Sequence, residues 1–316
     1  MSDRKLFHMN IDWKFHLGDL DISHGKSHNE VYGFAKTGGA AGPAHINFND
    51  NLWATVSLPH DWCTELAHDE NAIASFGYKL RGIGWYRKRF CLEECHKDQR
   101  VILQFDGIAT NATIYFNGSI VERNFSAYNP ITVDVTDVVY FGKKPNTIAV
   151  KVDSTFGEGW WYEGAGMYRN TYLLIKNKLS VDHVYIRTDR KDEILWETQI
   201  ETGIDNHNYE NKEFTIISTL YYDNISVSSD EKKCCCEKLS SSIFKQKIML
   251  EKPAVWSIET PNLYQLKSEV YENERCIDCI ITNFGYRTIE ISPDKGFYLN
   301  GMLFKIKGTC NHQDNA

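Results

Sequence analysis

Short runs of β-branched and aromatic residues, each bounded by Gly, Asn or Asp, recur along nearly the whole chain, while long apolar stripes at a 3.6-residue period are almost absent. Runs of that kind cannot build helix faces, and they specify sheets packed on sheets. Up to about residue 180 the candidate strands are WATVSL (53–58), GWYRKRF (84–90), RVILQFDG (100–107), NATIYFNG (111–118), NTIAVKVD (146–153) and NTYLLIKN (170–177). A second series fills 179–286: DHVYIRT, LWETQIETGI, FTIISTLYYD, FKQKIML, LYQLKSEVYE and CIITNFGYR, spaced as in an immunoglobulin-type sandwich. Asn117-Gly118 and Asn300-Gly301 each lie between two such runs, and Asn-Gly tolerates positive φ at both central positions of a tight hairpin turn. The stretch SVSSDEKKCCCEKLSSS (226–242) is polar throughout and reads as a long exposed loop.

Composition narrows the function classes. With 316 residues the chain has room for about two domains, and 7 prolines leave little material for long disordered linkers. Thirty-five basic residues against 42 acidic ones give a net charge of −7, which offers no footprint for nucleic acid or an anionic membrane. The opening residues mix charged and apolar side chains without an apolar run, so a cytoplasmic protein is expected, or a secreted one had a signal been removed. Nine cysteines, an odd count with Cys234, Cys235 and Cys236 adjacent, read as reduced thiols. Cys276 and Cys279 have CxxC spacing but no second pair and no nearby His, so they are not read as a zinc site. The Asn-x-Ser/Thr matches at Asn111, Asn117, Asn124 and Asn224 read as turn and strand chemistry.

Nine segments in a fixed order carry a more specific signal: WKFHLGD (13–19), VSLPHDW (56–62), GIGWYRKRF (82–90), FDGIATNATIYFNG (105–118), YNPITVDVTDVV (128–139), GEGWWYEGAGMYRNTYL (157–173), WSIETPNLYQL (256–266), NFGYRTIEI (283–291) and GFYLNGMLFKIKGTCNHQD (296–314). In that order they resemble the β-galactosidase and β-glucuronidase family, glycoside hydrolase family 2. The resemblance implies an all-β chain: a jelly-roll sugar-binding sandwich over 1–179, an immunoglobulin-like β-sandwich over 180–287, and the first strand of a truncated TIM barrel within 288–316. It also implies hydrolysis of O-glycosidic bonds by a retaining β-galactosidase, or a β-glucuronidase, as the parent activity. Retaining chemistry needs a carboxylic acid and a second carboxylate about 5–5.5 Å apart. By the resemblance both are glutamates of the barrel, with no counterpart before Ala316. The sequence is therefore expected to be inactive alone, to need no cofactor, and to leave any divalent or monovalent metal of the parent enzyme to the barrel.

The same resemblance nominates substrate-binding residues. His312, in Cys-Asn-His-Gln-Asp, would hydrogen-bond a sugar hydroxyl, with Asp314 as a second acceptor, while the plainer reading of His312 is an exposed side chain near the chain end. Trp160, Trp161, Tyr162 and Glu163 form the densest aromatic and acidic cluster, suited to stacking on a pyranose and accepting from its hydroxyls; the plainer reading buries the aromatics as core. Arg169 reads as structural. His60 and Asp61 point to opposite faces of an extended segment and read as a turn after Pro59 rather than a dyad. A rival arrangement pairs Asp61 with Glu163 as the two carboxylates of a self-contained hydrolase. The expected partner is a β-linked galactoside or glucuronide. Two further readings stand beside the enzyme fragment: a non-catalytic carbohydrate-binding module, and an oligomerisation scaffold through which the chain forms a homo-oligomer.

Overall fold

The computed structural model describes residues 3–20, 27–29, 32, 42–157 and 162–310. They divide into two compact units, one comprising 5–175 with Cys310 and the other 176–309 together with Asp3 and Arg4.

The first unit is a sandwich of two antiparallel sheets. Strands β2 (Trp13–Leu17), β3 (Ala54–Val56), β4 (Ile83–Phe90), β6 (Ala112–Phe116), β7 (Ser119–Asn124) and β9 (Asn146–Asp153) form a six-stranded sheet in the order β3-β2-β4-β9-β6-β7. Strands β1 (Lys5–His8), β5 (Arg100–Phe105), β8 (Ile131–Asp134) and β10 (Thr171–Lys176) form the opposing sheet in the order β1-β10-β5-β8. Alternation decides which side chains enter the core. Trp13 and Phe15 point in while Lys14 and His16 point away, and Ile148, Val150 and Val152 of the central strand meet Val101, Leu103 and Phe105 within one apolar cluster. The Asn117-Gly118 turn takes φ of 50° and 87°, the positive values that the dipeptide was expected to supply.

The second unit is another sandwich. Strands β11 (Leu179–Arg190), β12 (Leu195–Asn206) and β15 (Ser240–Glu251) make one sheet. Strands β13 (Lys212–Tyr222), β14 (Ile225–Cys236), β16 (Tyr264–Glu272) and β17 (Arg275–Phe284) make the other, in the order β14-β13-β16-β17. The stretch 226–242, expected as a loop, instead supplies most of β14 and the start of β15, joined by a turn with Leu239 at φ 51°. Its polarity misleads because β14 pairs only with β13, at a sheet edge where charged residues face water. Polar residues of the two sheets also bond inside the sandwich. Buried Ser218 donates to Gln246 Oε1 at 2.8 Å, and Gln246 Nε2 donates to the Asp230 carbonyl and carboxylate at 3.0 Å.

A small sheet follows, with β18 (Ile289–Ser292), β19 (Gly296–Leu299) and β20 (Met302–Phe304) turning at Asn300-Gly301. Of residues 307–314, expected to form the first barrel strand and its loop, 307–310 are exposed and carry no strand pairing and 311–314 lie outside the described residues, and no barrel is closed among the described residues. A lone barrel strand has no neighbour on either side to satisfy its backbone.

The second unit is locked by a buried acid. Asp278 is fully buried on β17, opposite Val270, next to a bulge that places Ile277 and Asp278 consecutively inside. Its carboxylate accepts Arg4 Nε at 2.7 Å and Arg4 Nη2 at 2.8 Å, together with the backbone N–H groups of Val181 at 2.7 Å and Cys279 at 2.9 Å. Asp278→Ala leaves the Arg4 guanidinium and two amides without their acceptor, an expected loss of about 3–5 kcal/mol in equilibrium denaturation. Arg275→Ala, which removes an exposed ion pair to Asp3, should cost under about 1 kcal/mol in the same measurement.

Candidate functional site

In the first unit, the segment after β3 and the segment before β10 are knitted together. His60 N–H donates to the Met167 carbonyl at 2.9 Å and Trp62 N–H to that of Ala165 at 3.1 Å, while Gly166 and Ala109 exchange both backbone bonds at 2.7 and 2.9 Å. Asp61 is the shared acceptor. Its Oδ1 receives the N–H of Cys63 at 3.0 Å, capping the short 3-10 turn Trp62–Glu65, and the N–H of Ala165 at 2.9 Å. Its Oδ2 receives the Tyr162 hydroxyl at 2.8 Å.

The Gly-Ala-Gly sequence at 164–166 follows from this closeness. Gly164 has φ 70° and Gly166 φ 125°. A Cβ at Gly164 would collide with the Asp61 carboxylate, and one at Gly166 with the Tyr86 hydroxyl and the His60 carbonyl.

Arg81 Nη1 donates to Glu163 Oε2 at 2.8 Å, with the two side chains 6% and 1% exposed, and Arg81 Nη2 donates to the Gly164 carbonyl at 3.2 Å. His60 Nδ1 lies 2.6 Å from the Tyr86 hydroxyl. His60 Nε2 has no hydrogen bond among the described residues, with Glu65 Oε1 at 3.8 Å. Burial holds the His60 imidazole below its ordinary pKa, partly offset by Glu65 and Asp61. Burial pushes the Cys63 thiol up to about 12, helped by Asp61. Burial also raises the Tyr86 and Tyr162 phenols, with Asp61 adding to the effect at both and accepting the Tyr162 proton. At neutral pH these are hydrogen-bonding groups without a titrating nucleophile among them.

Of the residues nominated from sequence, Glu163 sits in this knot as a buried, ion-paired carboxylate. Trp160, Trp161, His312 and Asp314 lie outside the described residues. Asp61 and Glu163 are each bonded to structural donors rather than set out as two free carboxylates facing a common space. Arg169 Nη1 reaches the Asp106 carbonyl at 3.5 Å, a structural contact. The role of Arg81 was not apparent in the sequence, since it lies 82 positions before its partner. The signal available was Gly-Ala-Gly, which marks a close backbone approach without naming what approaches.

Comparison with known proteins places this arrangement. Residues 47–192 match the glycosyl hydrolase 2 galactose-binding domain-like model and residues 179–287 the glycosyl hydrolases family 2 model, so that together they span most of the chain. The chain belongs to glycoside hydrolase family 2. It corresponds to the N-terminal portion of family 2 enzymes. Beta-galactosidase BoGH2A of Bacteroides ovatus is 31% identical over 323 residues, covering 99% of this chain and 35% of that protein. A beta-galactosidase of Thermoanaerobacter pseudethanolicus is 27% identical, covering 98% of this chain and 39% of that one. Among solved structures, a family 2 member from Bacteroides cellulosilyticus superposes with a TM-score of 0.85 at 26% identity, over 97% of this chain and 38% of that one. Bacteroides uniformis beta-glucuronidase 2, covalently bound to cyclophellitol-6-carboxylate aziridine, gives 0.82 at 25% identity, over 99% and 36%. The chain thus spans somewhat over a third of the length of these family 2 relatives. No helix among its described residues is long and apolar enough to cross a membrane.

Two measurements check the knot. Asp61→Ala should lower unfolding stability by about 3 kcal/mol, since three donors lose a charged acceptor together. Because the folded-state pKa of His60 is depressed, the unfolded chain binds more protons as pH drops below about 6.5. Stability is therefore full above that pH and declines below it. In melts from pH 7.5 to pH 5.5, His60→Gln should flatten part of that decline.

Proposed function

We propose that this chain is the N-terminal, sugar-facing portion of a retaining β-glycosidase that hydrolyses O-glycosidic bonds of β-galactosides, with β-glucuronides as the second candidate substrate. What carries the reading is the pair of family models in family order across 47–287, together with relatives named beta-galactosidase and beta-glucuronidase. Under this proposal the two glutamates of the reaction belong to a barrel outside these 316 residues. The chain contributes the jelly-roll and immunoglobulin-like modules and no chemistry of its own. The proposed sugar contacts are Trp160 and Trp161, with His312 and Asp314 after β20 in sequence, while Glu163, 1% exposed and paired with Arg81, is held in the knot. In support, Tyr162 and Glu163, which follow Trp160 and Trp161 in sequence, are anchored by Asp61 and Arg81.

A second reading, a module that binds sugar without cleaving it, is favoured by the galactose-binding domain-like match over 47–192. Chromogenic β-galactosides and β-glucuronides are expected to show no turnover with the purified chain, and calorimetry with galactose tests the second reading. Turnover that co-purifies with the chain through successive columns contradicts the first proposal, and no heat at millimolar galactose contradicts the second. The sandwich units are also proposed to support a homo-oligomer, which light scattering showing a monomer at high concentration would contradict.

A further inference from the structure

The connection between β4 and β5 carries a cluster that the glycosidase reading does not use. Residues Glu94–His96 form a single 3-10 turn preceded by Glu93, which has the extended φ of −66° and ψ of 147°. The turn is closed by His96 N–H on the Glu93 carbonyl and Lys97 N–H on that of Glu94, both at 3.1 Å, and extended by Gln99 N–H on the His96 carbonyl at 3.0 Å. Among the described residues, Glu93, Cys95 and His96 are the trio whose carboxylate oxygen, thiol sulfur and ring nitrogen all lie within 4.8 Å of one another.

Two details distinguish this trio from a chance grouping of surface acids. His96 is only 3% exposed, its ring set edge-on to Phe7 and its Nδ1 held 2.6 Å from Gln99 Oε1. In the tautomer in which Nδ1 donates to this amide oxygen, Nε2 keeps its lone pair for a metal. The Cys95 sulfur, on an exposed residue, already stands 3.5 Å from Glu93 Oε2. Tetrahedral zinc, with bonds of about 2.0–2.3 Å, sets its ligands about 3.4–3.6 Å apart, so this pair needs little movement.

We propose that Glu93, Cys95 and His96 bind a zinc-type divalent ion. The carboxylate, thiolate and imidazole Nε2 take three positions, and water takes the fourth. A thiolate and an imidazole select against magnesium and calcium. On binding, the Cys95 thiol releases its proton to solvent and the sulfur lone pair forms the metal bond, so uptake strengthens as pH rises.

Cobalt(II) reports the site without any enzyme assay. Titrating the chelator-treated, untagged chain with Co2+ should produce a thiolate-to-cobalt charge-transfer absorption at one equivalent, bleached by Zn2+. Cys95→Ser should abolish that absorption. Glu93→Gln should keep it while weakening Zn2+ affinity by at least about tenfold. Both side chains are exposed, so unchanged melting of the metal-free variants confirms that the fold is intact. The proposal is overturned by the absence of the absorption, by its survival in Cys95→Ser, which would move the metal to other cysteines, or by unaltered Zn2+ affinity in Glu93→Gln.

Discussion

A carboxylate that gives up water needs protein donors in its place, and in the first unit half-buried Asp61 finds them in two segments far apart in sequence. One donor comes from its own turn, and the other two from Tyr162 and Ala165, about a hundred residues later. Since three donors share two oxygens, the positions of the two segments cannot be adjusted independently. The absence of side chains at Gly164 and Gly166, the depressed imidazole at His60 and the protected thiol at Cys63 all follow from that closeness. Asp278 does the same work in the second unit, joining β11, β17 and Arg4.

These commitments shape the functional reading. In a family whose chemistry depends on two carboxylates at a set separation, half-buried Asp61 and buried Glu163 and Asp278 are each bonded to structural partners. The β4–β5 cluster differs in kind: a buried histidine held by Gln99 beside an exposed thiol and carboxylate.

Much of the fold was legible because strand alternation and turn chemistry are local. NTIAVKVD and RVILQFDG became β9 and β5, and both Asn-Gly dipeptides turned as anticipated. Other hairpins turn on Asp223-Asn224 and Asn273-Glu274, also with positive φ, which the sequence signalled less clearly for lack of glycine. The stretch 226–242 forms strands against expectation because polarity marks an edge strand as readily as a loop. The ion pair of Arg81 with Glu163 and the burial of Asp278 were invisible for different reasons. The first joins residues far apart in sequence, and the second depends on a bulge that reverses which face each residue of RCIDCI occupies.

Arg4 lies at the start of the chain, yet its acceptor is 274 positions away. On a ribosome that guanidinium emerges long before β17 exists, so the second unit cannot close its lock until its own last strands are made and the opening residues are still free to meet them. The order of synthesis and the order of assembly therefore run in opposite directions at this point. Arg4, which precedes every strand of the first unit, is here part of a joint belonging to strands made much later.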